Sequence, residues 1–309
     1  MALSKILPAG QSQFAGAMNF IINGALTVWQ RSISSTSTGW GYYTADRWNT
    51  NLRDGAGTMS QYDMGSELQP FIYALKTAMT SAATSNPVVQ QKVEDSRRFK
   101  NQTVTFSFYA KSSKAITVDT TFDLLWANSS NATTTQSNSI TTSWQRFTYT
   151  VTLPNPSGTY NATYDHLYCR FSLPISDTYD FYITGVQLEI GEVASPDFEH
   201  EDIGTTLRKC QRYCTVLTSS SFMYRDYYST DTMVTSAELP VTMRVTPSVT
   251  MTGSGGTSST GFTYTNLAAA PTLSATNPQS IIVYRGVASS ARTYIYLAST
   301  GELTMEAEL

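Results

Sequence analysis

Charge is scarce in this sequence. Only 14% of its 309 residues are Asp, Glu, Lys or Arg, against roughly 25% in ordinary soluble domains. Lys and Arg number 20 against 23 Asp and Glu, for a formal net charge of −3. That balance does not suggest the basic face with which a nucleic-acid binder displaces counterions, so no nucleic-acid partner is expected. Histidine is scarcer still, represented by His166 and His200 alone. No G-x-S-x-G, H-E-x-x-H, Walker or G-x-G-x-x-G context accompanies them. The chain therefore offers no catalytic constellation, and neither enzyme activity nor a cofactor is expected. His200, set among carboxylates in FEHED, reads as a structural hydrogen-bonding residue.

Cysteine is limited to Cys169, Cys210 and Cys214, an odd number without metal spacing. The last two are four positions apart on an expected helix, too far for an unstrained disulfide, so all three read as small buried apolar residues. No apolar run reaches the length of a membrane span, and the N-terminus has no signal-peptide core, so no membrane insertion is expected. Synthesis and folding in a cytoplasm follow as an expectation, which leaves the Asn-x-Ser/Thr matches at Asn101, Asn128, Asn131 and Asn161 without glycosylation meaning. Glu189, Glu192, Asp197, Glu199, Glu201 and Asp202 could offer oxygen ligands to Ca²⁺. Charge bias at a helix N-terminus explains them more simply, and no metal is expected.

What is present in abundance is hydroxyl, amide and aromatic, with 19 tyrosines and 12% aromatic residues overall. Short alternating segments follow one another, separated by Gly, Pro, Asn and Ser clusters. They are Gly39–Leu52, Gly57–Met64, Phe71–Met79, Gln102–Ala110, Ala115–Trp126, Trp144–Leu153, His166–Leu173 and Phe181–Ile190. Strands at this spacing without alternating helices predict a β-sandwich, best a jelly roll. One short helical turn is predicted near Val93–Phe99.

The chain changes character within GVQLEIGEVASPDFEHEDIGTTLRKCQRYCTVL, residues 185–217. Val186, Leu188 and Ile190 alternate with polar residues at a strand's period of two. Past Ser195, Pro196 and Asp197 the apolar positions become Ile203, Leu207, Cys210, Cys214 and Leu217, the spacing of one helical stripe. The predicted organisation is therefore all-β: an N-terminal arm (1–18), a jelly-roll β-sandwich (19–200), a linking helix (201–217) and a small β-sandwich at the C-terminus (218–309). Few charges guard the C-terminal strand edges, so a closed homo-oligomer is expected. Leu207, Cys210, Cys214 and Leu217 are the candidate seam.

The GVQLEIG run, the proline turn, FEH and the CQRY helix end together resemble the joint of phage virion proteins of the tail-fibre type. IINGALTVWQR (21–31) with YYTADRW (42–48), VEDSRRFKNQTVTFSFYAKSS (93–113) and TTSWQRFTYTVTLP (141–154) resemble the same family in the same order. LPVTMRVTPSVTMTG (239–253) and the terminal TMEAEL are similar to phage-fibre tips. This chain differs from the pattern in carrying Asp197 between Pro196 and Phe198. The resemblance implies a virion protein assembled in the host cytoplasm, trimeric, docked through its N-terminal arm on other virion proteins and touching a host-surface glycan. A capsid decoration or head fibre would share this build.

The sandwich also resembles carbohydrate-binding modules, which directs attention to aromatics, since flat rings with polar neighbours stack on sugar faces. Trp48 and Trp144 fall in phase with apolar neighbours and read as core. Trp40 and Tyr42 in a Gly-rich stretch, and Trp126 beside Asn128, are the candidate exposed aromatics of the first domain. Tyr224, Tyr227 and Tyr228 are those of the second. A polysaccharide-degrading enzyme or an accessory module of one is the alternative from another class.

Overall fold

The computed structural model describes residues 19–127, 130–175, 177–218, 226–229, 232–252, 262–265, 272–286, 294–297 and 302–308. The expected attachment arm (1–18) and Tyr224 lie outside the described residues. The chain forms two compact units that divide between Ile203 and Gly204. Among the described residues it is all-β apart from one short helix and two single 3-10 turns.

In the first unit the strands are β1 (Ser34–Ser35), β2 (Asn49–Asn51), β3 (Ala56–Asp63), β4 (Tyr73–Ser81), β5 (Val88–Glu94) and β6 (Thr103–Ser112). They continue as β7 (Ile116–Ala127), β8 (Ser130–Ile140), β9 (Gln145–Thr152), β10 (His166–Ser172) and β11 (Tyr179–Ile190). One sheet runs β1-β3-β4-β11-β6-β9, the other β2-β5-β10-β7-β8. The pairings nest: β4 with β11, β5 with β10, β6 with β9, β7 with β8, all antiparallel. A long hairpin folded at β7–β8 and rolled so that successive pairs fall in alternate sheets is a jelly roll.

The core lies between the sheets because the strand period is two. In β10, Leu167, Cys169 and Phe171 are fully buried, while Tyr168, Arg170 and Ser172 turn outward. Phe106, Phe108, Phe122, Phe171 and Trp48 form the aromatic centre, with ring centroids 5.2 Å apart for Phe106–Phe122 and 4.9 Å for Phe108–Phe171. Trp48 is core, as its phase predicts. Burial also pushes the Cys169 thiol well above its ordinary pKa, consistent with an inert packing role.

The structure departs from the sequence reading at three places in this unit. Val93 and Glu94 end a strand, and only Ser96–Arg98 form a helical turn, of the 3-10 kind. The strand β5 is hidden in the sequence because Gln91 occupies an inward position. There its amide exchanges hydrogen bonds of 2.8 and 2.9 Å with the Ile22 backbone, so a polar residue is buried at no loss of partners. The strand β8, SNATTTQSNSI, lacks an apolar alternation altogether, yet pairs along the whole of β7. The predicted strand over 39–52 reduces to β2 and a single bridge between Gly41 and Thr50.

The segments that carried the family resemblance interlock. Asn23, 3% exposed with φ +57°, accepts from Thr27 N and Val28 N and donates to the carbonyls of Val28 and Asp46. Its own carbonyl accepts from the Trp48 indole at 3.2 Å, so IINGAL and ADRW are bound as one knot. Gly185 forms the bulge of β11 at φ +57°. A Cβ there would meet the Phe71 and Tyr109 rings at 2.5 and 2.8 Å, and only glycine fits.

After β11 the chain crosses the outer face of the first sheet. Arg146 donates to the carbonyls of Ser195 and Pro196, Glu189 accepts from Ser195, and Gln187 Oε1 accepts from Glu199 N at 2.9 Å. Phe198 and His200 pack on Phe71, with centroids 5.2 Å from it in each case. The extra Asp197 does not displace Phe198 from this anchor. His200 is aromatic packing, and burial lowers its pKa.

The second unit contains the helix α1 (Ile203–Gln211), less its first residue, followed by β12 (Cys214–Thr218), β13 (Asp226–Ser229), β14 (Thr232–Glu238) and β15 (Ser248–Thr252). Then come β16 (Phe262–Thr265), β17 (Thr272–Asn277), β18 (Ser280–Gly286), β19 (Tyr294–Leu297) and β20 (Glu302–Glu306). They form sheets β12-β20-β15, β13-β14-β18-β17 and β16-β19. The predicted helix over 201–217 is too long. It stops at Gln211, and Cys214 and Leu217 belong to β12. Cys210 and Cys214 are fully buried within the chain, so Leu207, Cys210, Cys214 and Leu217 do not form an exposed helical stripe. The β-period and helix-period readings coincide here because both place Cys210 and Cys214 inward.

Candidate functional site

The residues of the second sheet that alternate with its core positions form a polar grid built by strand register, in which Asn49, Gln90, Thr121 and Asp123 are buried and Tyr168 and Arg170 are partly exposed. Asn49 lies opposite Gln90, Gln90 opposite Arg170, Arg170 opposite Thr121, and Thr121 opposite Thr135. One pleat along, Lys92, Tyr168, Asp123 and Thr133 form the next row. Side chains tie the first row along its length: Gln90 Nε2 donates to Asn49 Oδ1 (3.3 Å), and Arg170 Nε donates to Gln90 Oε1 (3.0 Å). Arg170 also pairs with Asp123 at 3.0 Å, and Asp123 accepts from the Thr133 hydroxyl at 2.7 Å. Each polar group holds its neighbour's rotamer, so the grid is preorganised.

Tyr168 stands in the middle of it, half-buried, with Arg170 and Lys92 at 5.1 and 5.4 Å from its ring centroid. Burial raises its pKa, an effect that Arg170 opposes and Asp123 reinforces, so its hydroxyl stays protonated at neutral pH. That hydroxyl makes no hydrogen bond among the described residues.

Trp40 and Tyr42 join the same face. Gly41 exchanges backbone hydrogen bonds with Thr50 at 3.1 and 2.9 Å. Thr50, 1% exposed, points to the core, and residues opposite each other across a bridge point the same way. Alternation then sends Tyr43 inward, where it packs on the core, and Trp40 and Tyr42 outward beside Asn51 and Asn49. Trp40 is 49% exposed. Arg53 lies over its ring at 4.9 Å and Arg31 over Tyr42 at 5.5 Å. Trp40 and Tyr168 are separated by about three strand spacings across the sheet and about four residues along it, ~20 Å in all.

Trp126 does not join this group. It lies at the far end of β7, seven residues beyond Asp119, ~23 Å along the strand, on the opposite alternation phase from Asp123. There it meets Tyr160 edge-on at 5.0 Å, with Lys100 at 5.2 Å from its ring. Tyr227 and Tyr228 lie on β13 of the second unit. Sequence reasoning missed Tyr168, Asn49, Gln90 and Arg170. The alternation in HLYCRFS was the available signal, because it places Tyr168 and Arg170 opposite the apolar Leu167, Cys169 and Phe171. Trp144 is half-buried, its indole donating to Glu67 at 2.9 Å, and belongs to a packing cluster on the other sheet. Among the described residues, no three His, Cys, Asp or Glu gather as a metal set.

No protein-family model matches the chain. No curated protein matches it either. Among solved structures it is similar to a putative sugar binding protein from Bacteroides thetaiotaomicron, at 14% identity and TM-score 0.39 over 56% of this chain and 100% of that one. It is similar to the CBM22-2 xylan-binding domain of Paenibacillus barcinonensis Xyn10C, at 15% identity and TM-score 0.33 over 47% of this chain and 92% of that one. A further similarity is to the enzymatically active domain of bacteriophage CBA120 tailspike protein 4, at 11% identity and TM-score 0.37. That match covers 56% of this chain and 21% of the tailspike chain.

Proposed function

We propose that this chain is a non-catalytic, glycan-binding structural protein of a phage particle, of the tail-fibre or appendage type, and that the outer face of its second sheet holds the glycan. The observation that carries the glycan reading is the pairing of available aromatics with a preformed polar grid. Trp40 is half exposed and its indole N–H has no protein partner among the described residues, as is also true of the Tyr168 hydroxyl. Sugars offer apolar C–H faces and a hydroxyl rim. An exposed ring at one corner of the face, and a half-buried ring beside a fixed guanidinium and carboxylate, match both. Asp123 is held by Arg170 and Thr133, and Asp119 by the Ser137 hydroxyl, which favours binding over acid–base chemistry on this face. The phage reading rests on the four ordered sequence segments, whose Asn23, Trp48 and Gly185 have the framework roles described above. With it go a homotrimer, attachment to other virion proteins through residues 1–18, and assembly in the host cytoplasm. A head fibre would use the same face.

The test is retention on immobilised host polysaccharides, with Trp40→Ala and Tyr168→Ala compared with the parent chain. Each substitution is expected to weaken retention about tenfold, as for other aromatic anchors, with melting temperature unchanged for the exposed Trp40. Retention that both variants leave intact would remove this face as the site. Release of reducing ends during the incubation would favour the enzyme reading.

A further inference from the structure

The Trp40 end of the face carries a charge that nothing in the described structure balances. Arg53 is exposed and has no carboxylate partner among the described residues. Its Nε donates to the Asn86 carbonyl at 3.2 Å, and its guanidinium lies over the Trp40 indole at 4.9 Å. The adjacent Asp54 is not its counterion. Both Asp54 oxygens accept from Thr84 N, one of them also from the Thr84 hydroxyl and the other from Ser85 N. These bonds, that of the Thr84 hydroxyl foremost, hold its pKa down to about 2.

The backbone at Arg53 is itself unusual. Its φ is +61°, in the left-handed region that non-glycine residues seldom adopt, and its N–H donates to Asn51 Oδ1 at 2.6 Å. Residues held in such conformations cluster at ligand sites. Here the turn aims a cation at an exposed ring instead of into solvent.

We infer that this end of the face selects an acidic sugar, whose carboxylate pairs with the Arg53 guanidinium while its ring lies against Trp40. The inference rests on the glycan-binding reading of the face. Stacking on an indole uses the flat side of a guanidinium, whereas hydrogen bonding uses its edge, so Arg53 can do both at once. With Nε committed to Asn86, the two terminal nitrogens remain for a carboxylate fork. A neutral sugar covering Trp40 would instead strip water from an unpaired cation, which costs binding. The whole chain is acidic, so the selection must act at contact range rather than by long-range attraction.

The experiment compares polygalacturonate with its fully methyl-esterified counterpart, the same backbone without the charge, against the intact chain. Neutral galactan and xylan serve as further probes. The parent protein is expected to bind the acid form about tenfold more tightly, with the difference shrinking as salt is added. Arg53→Gln is expected to abolish that preference, weakening the acid form and binding the ester no less tightly than the parent does, and Arg53→Lys to keep part of the preference. Equal binding of the two polymers by the parent, or an undiminished preference in Arg53→Gln, would overturn acid selection and leave the glycan face standing. Retention of none of the four polymers, and of none of the host polysaccharides, would overturn both readings.

Discussion

At the scale of single residues, Asn23 holds the first unit's entry segment. It combines a left-handed backbone with bonds to two N–H groups and two carbonyls, all in the interior. Asn is among the few non-glycine residues that adopt this conformation readily. Replacing it by Ala removes those partners and adds backbone strain. A loss of about 2–4 kcal/mol is expected, read by urea unfolding of the intact chain. A change below ~1 kcal/mol would show that the knot is not the anchor. Asn23 was readable as a motif residue. Its role was not, since the bonds that join it to the ADRW segment, to the Asp46 carbonyl and from the Trp48 indole, come from over twenty residues away.

At the scale of elements, the loop joining β3 to β4 is fastened to the first sheet by one carboxylate. Glu67 accepts from the Lys111 ammonium, from the Tyr62 hydroxyl at 2.5 Å and from the Trp144 indole at 2.9 Å. Lys111 is in turn enclosed by the rings of Tyr62, Trp144 and Tyr182 at 5.0, 5.2 and 5.0 Å, an aromatic box filled by the chain's own cation. The Lys111 bond foremost, with that of Tyr62, holds the Glu67 pKa at about 2, below its ordinary 4.5. A depressed carboxylate pKa stabilises the folded state above the ordinary value, and that contribution fades as pH falls from 4.5 towards 2. With 38% of its side chain exposed, the contribution is screened and modest. In Glu67→Gln, the melting temperature should fall less steeply across this pH window than in the parent. An identical acid slope in the two proteins would count against the latch.

At the scale of the molecule, the jelly roll leaves two long edges: among the described residues β8 pairs only with β7 and β9 only with β6. Together they carry a single charged residue, Arg146. Uncharged open edges invite pairing with another chain, which agrees with an oligomer even though the helical seam is lost. Light scattering is expected to give three chain masses. A monomer at micromolar concentration would remove the trimer.

Strand after strand, the inward phase of His166–Ser172 and of Phe181–Ile190, the core position of Trp48 and the absence of alternating helices were legible in the sequence, because burial imposes a period of two on local composition. The same local rule failed for β5 and β8, whose polar residues are satisfied by distant partners, and for the extent of α1, where helix and strand phases coincide. No local pattern could assemble the candidate face. Trp40, Asn49, Gln90 and Tyr168 are distant in sequence and meet only through the Gly41–Thr50 bridge and the β2-β5-β10 register. Hydrogen bonding between strands, not the order of residues along any one of them, decides which side chains share a surface.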